Sequence, residues 1–126
     1  AEEVSQQWDA LKSKEPGRDS ITNGLPTGMP ALAYAAALQR RAGRAGLPVP
    51  EAGANDVAEA QAGQELFETV ARIQASGIDP EVALRAEALR YRDRIKRTES
   101  LAGDESTLAD LEGSVRDGLW DQAASD

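Results

Sequence analysis

Apolar residues recur along this chain at intervals of three and four, the spacing of one face of an α-helix. The clearest series is Leu84, Ala88, Tyr91 and Ile95, and its other face is dense with Arg and Lys. No segment shows the period-two alternation that marks a half-buried strand. The pattern therefore predicts an all-α fold, a bundle of four to five helices.

Five segments carry the helical pattern. We expect helices over Ala1–Lys14, over Pro30–Ala45, from near Asp56, from Pro80 towards Ser100, and from a cap at Ser106 or Thr107. In chain order, the apolar faces of these helices are predicted to comprise Val4, Trp8 and Leu11; Leu32, Ala35, Ala36 and Leu38; Leu66, Phe67, Val70 and Ile73; Leu84, Ala88, Tyr91 and Ile95; and Leu108, Leu111, Val115 and Leu119. Gly113 and Gly118 weaken the last helix by about 1 kcal/mol each relative to Ala.

The corner between the third and fourth helices carries the strongest local signal. Gly77 is suited to the left-handed conformation that ends a helix, and the apolar Ile78 follows it. Asp79 can accept hydrogen bonds from the free amides of the next helix, whose first turn accommodates Pro80. These residues predict a helical hairpin.

Pro and Gly residues divide the rest of the chain. Glu15–Pro30 has the composition of a connector, Gly46 is expected to end the second helix, and Gly103 the fourth. We therefore expect an N-terminal helix and connector over residues 1–29, a helical core over 30–103 and a helical tail over 104–126.

The predicted core is rich in small side chains. Hydrophobic residues make up 40% of the 126, but the chain has 23 Ala, one Phe, two Tyr and two Trp. Each buried Ala removes little apolar area from water. We expect Trp8 and Trp120 to pack in the core, and the chain to self-associate or to dock on another domain.

Charge and composition exclude several classes of function. The net charge of −8 argues against general nucleic-acid binding, which needs a basic footprint. No apolar run is long enough for a membrane span and no signal-peptide pattern is present, so a cytoplasmic location is expected. Without Cys or His there is no disulfide, thiolate, Ser–His pair or imidazole metal site. Carboxylates that hold a hard cation remain as a route to chemistry.

Two segments resemble the MazG family of nucleoside triphosphate pyrophosphohydrolases. EEVSQQWDALKSKEPGRDSITNGLPTGMPALAYAAALQRRAGRAGL is similar to the opening of that family's second repeat, with its W-x-x-(I/L)-K-x-x-E, G-(I/L/V)-P-x-x-x-P-A-L and L-Q-x-R-A motifs. GQELFETVARIQASGIDPEVALRAEALRYRDRI is similar to the closing hairpin, G-D-x-L-F-x-x-V followed by G-(I/V)-D-P-E-x-A-L and a basic helix. The tail near LWDQA also looks like that of actinobacterial members. Together the two segments cover roughly residues 1–103.

The resemblance implies a Mg²⁺-dependent hydrolysis of nucleoside triphosphates to monophosphate and pyrophosphate. In the family, an E-E-x-x-E helix and an E-x-x-D helix present carboxylates to Mg²⁺, which polarises phosphate and activates water. By this resemblance the chain starts between the two repeats and lacks the first.

The sequence departs from the family pattern at the metal ligands. Leu66 and Phe67 fix the register, which places the E-x-x-D positions at Gln61 and Gln64. The E-E-x-x-E helix is expected to be absent, because a short loop with Glu51 and Asp56 takes its place. Glu65 and Glu68, on the same helix face as the two Gln, are the residual candidates. A solvated helix face is the simpler interpretation, since one or two carboxylates with amides give little charge for Mg²⁺.

The basic helix retains two family cations. Where the family has Asn, a basic residue, an aromatic residue and Arg, this chain has Ala88, Arg90, Tyr91 and Arg94. Arg90 and Arg94 are the candidate phosphate ligands. The competing interpretation is a basic face that is solvated or paired with acidic neighbours.

Two hypotheses of function follow. In the first, the chain is a degenerate C-terminal region of a MazG-type enzyme that supports folding or dimerisation, or docks on an N-terminal MazG domain of the parent chain. In the second, it is a non-catalytic helical interaction module whose basic face, within residues 85–97, binds an acidic partner. Salt-dependent partner binding would favour the second, and Mg²⁺-dependent nucleotide binding would favour an enzyme.

Overall fold

The computed structural model describes residues 20–50 and 57–125, and all regular structure within these ranges is helical. It contains α1 (Ala31–Arg44), α2 (Glu59–Ala75), α3 (Pro80–Ala102) and α4 (Gly113–Ala124), with a single 3₁₀ turn at Leu108–Asp110 before α4. The predicted all-α class is therefore confirmed. In the described part of the chain, no helix is both long and apolar enough to cross a bilayer. The helix expected over Ala1–Lys14, with Trp8, lies outside the described residues.

The long helix α3 is the centre of the packing. Helices α1 and α4 both pack closely against it, whereas α2 contacts it much less. Side chains from α1, the start of the loop that follows it, α3, the 3₁₀ turn and α4 form one core: Tyr34, Leu38, Ala42, Ala45, Leu47, Ala88, Ile95, Leu108 and Trp120. The predicted α3 face is confirmed, since Ala88 and Ile95 are buried and Leu84 and Tyr91 are half-buried.

The buried face of α1 is rotated from the predicted one. Leu32, which was expected to face the core, is 55% exposed, while Tyr34 and Leu38 are 1% exposed. Ala31, Ala37 and Ala42 complete this buried face. Tyr34 has by far the largest apolar surface on this helix, so turning it inwards buries more area than turning Leu32 inwards.

Glycine ends α1 and α2 in the same way. Gly46 and Gly77 have φ of 82° and 79°, in the left-handed region. The next amide then reaches back to the last turn: Leu47 N to Ala42 O at 2.9 Å and Ile78 N to Ile73 O at 3.3 Å. This is the six-to-one bond of a Schellman motif. The corner predicted at Gly77 is confirmed.

The start of α3 is capped as predicted. The Asp79 side chain accepts from Glu81 N at 2.9 Å and from Val82 N at 3.4 Å, and Pro80 occupies the first turn. Glu81 in turn accepts from Ala31 N at 2.9 Å. One carboxylate of α3 thus binds the amide that opens α1, where the helix dipole favours negative charge.

The start of α2 differs from the prediction. The helix begins at Glu59, its N-cap is Ala58, and no side chain caps it. The start expected near Asp56 thus lies three residues later, at Glu59; Asp56 itself lies outside the described residues. Helix α2 also has no buried residue.

The predicted tail helix from Thr107 is divided in two. Thr107 precedes only the 3₁₀ turn, its hydroxyl bonds the Asp110 carboxylate at 2.8 Å, and α4 begins at Gly113. Leu108 is buried, but Val115 is 49% exposed, so the expected stripe does not form one face. Gly113, a weak helix former, lies at the break, and buried Leu108 and Trp120 fix the path of the chain on either side of it.

Carboxylate and guanidinium groups hold the segment before α1. Glu99 on α3 accepts from Ser20 Oγ at 2.7 Å and from Ile21 N at 2.9 Å. Arg41 donates to Ile21 O at 2.8 Å and also to Asn23 O. These bonds fix the described part of the expected connector against the helices.

We expect Trp120→Ala to lower the free energy of unfolding by about 3–5 kcal/mol, because it removes the largest side chain of the core and leaves a cavity. Urea unfolding followed by far-UV circular dichroism measures this. Val115→Ala, on the same helix at an exposed position, should change stability by less than about 0.5 kcal/mol. Equal effects of the two substitutions would contradict the assigned core.

Candidate functional site

The four candidate metal-site residues lie on the solvent-facing side of α2. Gln61, Gln64, Glu65 and Glu68 are all exposed. Gln64 Nε2 donates to Glu68 Oε1 at 3.0 Å, one helical turn away. The pair is an ordinary surface contact along one helix, in which the amide competes for the carboxylate oxygen that a cation would need.

The donor set on α2 does not match what Mg²⁺ requires. Within residues 20–50 and 57–125, no three Asp, Glu, Cys or His side chains gather closely enough to hold a metal ion. Magnesium needs near-octahedral oxygen ligands that are held in place. The four candidate side chains lie on one exposed helix, and two of them are uncharged amides, so they supply little negative charge and only one side of a coordination sphere. Glu51 and Asp56, which were noted in the preceding loop, lie outside the described residues.

The candidate phosphate ligand Arg94 is engaged within the chain. Its Nε and Nη2 atoms donate to Trp120 O at 3.1 and 2.9 Å. Its guanidinium also lies 4.0 Å from the centre of the Trp120 ring, a cation–π distance. A third contact, to Asp121 at 3.9 Å, is weak because that carboxylate is largely exposed. Arg94 therefore joins α3 to the end of α4.

Tyr91 completes the cluster around Trp120. The two rings meet edge to face, with centroids 5.5 Å apart and planes at 71°. The Tyr91 hydroxyl donates to Pro48 O at 2.8 Å, which ties the loop after α1 to α3. Partial burial raises the pKa of Tyr91 above its ordinary value, against the opposing charge of Arg94. A tyrosine hydroxyl is protonated at neutral pH even without this shift, so it can donate this bond.

The second candidate phosphate ligand, Arg90, lies on the surface. It pairs with Glu87 on the same helix at 2.6 Å, and both side chains are 68% exposed. A pair of this kind contributes little to stability. Arg90 and Arg94, which the sequence placed one turn apart, thus have different environments: one is solvated and one is committed to Trp120.

Three more arginines of the basic face also bind groups of this chain. Arg85 bonds Thr27 O and Glu81, Arg92 pairs with Asp93 at 2.9 Å, and Arg97 donates to Ala123 O at 2.9 Å. The hypothesis of an acidic partner on this face stays a prediction. The observed contacts assign these arginines a structural role in the chain.

The importance of Trp120 O and Ala123 O could not be predicted from sequence. Both are backbone acceptors in the last turns of α4, towards the negative end of the helix dipole. The only sequence signal was the concentration of arginines on α3, which is equally compatible with a solvated face. Arg116 was missed for the same reason: it donates to Gly46 O at 3.0 Å and to two carbonyls near the 3₁₀ turn.

Comparison with known proteins gives two relatives. The chain is 44% identical over 101 residues to an uncharacterized 26.1 kDa protein from the blaB 3′ region of Streptomyces cacaoi; the match covers 79% of this chain and 40% of that protein. It is 31% identical over 96 residues to a nucleoside triphosphate pyrophosphohydrolase of Mycobacterium tuberculosis (strain ATCC 25618 / H37Rv), covering 74% of this chain and 25% of that enzyme.

These relatives are substantially longer than the matched region, since the chain spans less than half of either. No family model matches the chain. No solved structure matches it either. The chain is thus distantly similar to part of a nucleoside triphosphate pyrophosphohydrolase, which agrees with the MazG-like motifs.

Replacing Arg94 should be far more costly than replacing Arg90. Arg94→Gln removes the bond to Trp120 O and the ring contact, so we expect a loss of about 1–3 kcal/mol in the free energy of unfolding. Arg90→Gln should change it by less than about 0.5 kcal/mol, because the pair with Glu87 is exposed. Chemical denaturation of both variants tests this. A larger effect at Arg90 would contradict the assigned roles.

Proposed function

We propose that this chain is a MazG-like region of a nucleoside triphosphate pyrophosphohydrolase that has lost the metal ligands and serves folding or dimerisation. The distant similarity to the mycobacterial enzyme supports the family. The parent protein would hydrolyse nucleoside triphosphates in the cytoplasm with Mg²⁺, and this region would dimerise or dock on an N-terminal MazG domain.

The observation that carries the proposal is the environment of Gln61 and Gln64. The family resemblance gives these positions to carboxylate ligands, but here they are amides on a solvated helix face. The nearest carboxylate partner, Glu68, is bonded to Gln64 itself. Two negative charges have been lost at the point where Mg²⁺ would need them.

The arginine that the resemblance assigns to phosphate binding supports the same proposal. A phosphate clamp needs guanidinium groups that are free to form charge-assisted bonds with the ligand. Arg94 instead donates a hydrogen bond to the Trp120 carbonyl, and its guanidinium lies over the Trp120 ring. The residue thus contributes to the packing of α4, as a scaffold role requires.

The purified chain should not hydrolyse nucleoside triphosphates in the presence of Mg²⁺. The assay incubates it with a mixture of the triphosphates and separates monophosphate and pyrophosphate by chromatography, with an active enzyme of the same class as positive control. Clear turnover would overturn the scaffold proposal. It would direct attention to Glu51, Asp56, Glu65 and Glu68 as ligands assembled between chains.

Restoring the family residues in the double variant Gln61→Glu/Gln64→Asp should not create activity. The restored carboxylates would still face solvent without a second acidic helix, so we expect no Mg²⁺-dependent rise in melting temperature. Like charges one turn apart should instead cost about 0.2–0.5 kcal/mol per pair. The matched control Gln39→Glu/Gln74→Glu adds the same charge at exposed positions elsewhere. Mg²⁺-dependent turnover in the first variant alone would show that the ligand set is complete without the missing helix.

A further inference from the structure

The end of α1 borders a depression that contains none of the candidate metal or phosphate ligands discussed above. Its volume is about 470 Å³, within the range of small-molecule sites, and it is open to solvent. We call it the α1 depression. The residues that line it come from the segment before α1, the end of α1 and the 3₁₀ turn: Ser20, Ile21, Arg41, Arg44, Ala45 and Ala109. Two guanidinium groups and three apolar side chains therefore surround one space.

The first of these guanidinium groups, Arg41, is anchored on one side only. Its Nη1 atom donates to Ile21 O at 2.8 Å and to Asn23 O. In the described part of the chain, its Nε and Nη2 atoms have no hydrogen-bond acceptor. These two atoms form a planar edge that can hold an oxyanion by two parallel bonds. Because Nη1 is already fixed, little conformational freedom is lost when the other edge binds a ligand.

The second guanidinium group, Arg44, has no partner at all within residues 20–50 and 57–125. It follows Arg41 by three residues, so the two side chains are neighbours on the helix surface, with Cβ atoms about 5–6 Å apart. In this respect Arg44 differs from Arg94 and Arg116, which are occupied by backbone carbonyls. Arg44 can therefore bind a ligand in the α1 depression without breaking a bond in the protein.

The charges around the α1 depression favour an anion. Helix α1 contains no Asp or Glu, and three arginines lie within its last five residues. The negative end of the helix dipole offsets only about half of one positive charge. Arg116 adds a further cation, since it bonds Gly46 O next to the lining residue Ala45. The carboxylate bonded to this wall, Glu99, already accepts from Ser20 Oγ and from the backbone amide that follows.

We propose that the α1 depression binds an organic phosphate. The Nε–Nη2 edge of Arg41 and the guanidinium of Arg44 hold the phosphate group, and the organic part lies against Ile21, Ala45 and Ala109. One guanidinium edge already satisfies both oxygens of a carboxylate, whereas a phosphate has a third oxygen and a second negative charge for the second arginine. This inference is independent of the proposed scaffold role, because it uses none of the same residues.

The first experiment titrates the whole ¹⁵N-labelled chain with phenyl phosphate and follows the backbone amide shifts by NMR. We expect saturable shifts at Ala45 and Ala109, with a dissociation constant of about 1 mM or below. Inorganic phosphate should shift the same amides but bind at least about threefold more weakly, because it lacks the apolar part. Phenol, which lacks the charge, should cause no saturable shift at these amides.

Arg44→Gln should weaken the binding of phenyl phosphate by about tenfold, the effect of losing one charge-assisted contact. The fold should persist, because Arg44 is exposed and bonds nothing in the described chain. Arg40→Gln is the matched control: it removes the same charge from the same end of α1 at an exposed residue that does not line the depression. The control should change the dissociation constant by less than about twofold. Equal losses in both variants would indicate unspecific attraction to a basic helix end and would overturn the site.

Ala109→Leu tests whether the organic part occupies the depression. The larger side chain should weaken phenyl phosphate by about fivefold or more and leave inorganic phosphate nearly unchanged, since it fills the apolar side of the space. Ala33→Leu makes the same change at an exposed position near the start of α1 and should affect neither ligand. If Ala109→Leu left phenyl phosphate binding intact, the organic group would lie elsewhere and the proposed pose would be wrong.

Three further results would reject the site. The first is the absence of saturable shifts up to about 20 mM phenyl phosphate. The second is a set of shifts centred on Arg90 and the exposed side of α3 instead of Ala45 and Ala109. The third is equal affinity for sulfate and phenyl phosphate, which would show an adventitious ion only. None of these outcomes bears on nucleotide turnover, which tests the proposed function separately.

Discussion

Bonds from arginine side chains to backbone carbonyls hold this bundle together. Arg41, Arg94, Arg97 and Arg116 each donate to carbonyl groups in a different segment, at a loop or at a helix end. Carbonyls in loops and in the last turn of a helix lack helical partners, and the negative end of the helix dipole favours a cation near the end of α4. A core made largely of Ala and Leu buries little area per residue, so these bonds fix segments that apolar packing alone would hold weakly.

The same constraint bears on function. The resemblance to MazG proteins gives Arg94 to phosphate, but in this chain the guanidinium lies over Trp120 and bonds its carbonyl. A group committed to two internal partners would have to break them before binding a ligand. Together with the amides at Gln61 and Gln64, this supports the scaffold role proposed above.

Helix α2 contrasts with the rest of the molecule. Helices α1, α3 and α4 share one core, whereas α2 has no buried residue and leaves Phe67 in solvent. The family motif that fixed the sequence register, Leu66–Phe67, is therefore also the most exposed apolar pair in the described chain. The polar face with Gln61 and Gln64 and the apolar face with Phe67 are opposite sides of one helix.

Local chemistry was sufficient to predict α1, α2 and α3 and the corners that follow α1 and α2. Gly46, Gly77 and the Asp79–Pro80 cap act within one turn of their own position, so their effect was visible in the sequence. Tertiary structure decided what depends on distant partners. It turned Tyr34 inwards in place of Leu32, divided the tail before Gly113, and joined Arg94 to Trp120 across 26 residues of chain. A periodic pattern indicates which residues are apolar, but which of them are buried, and which cations find a carbonyl, is settled only when the helices pack.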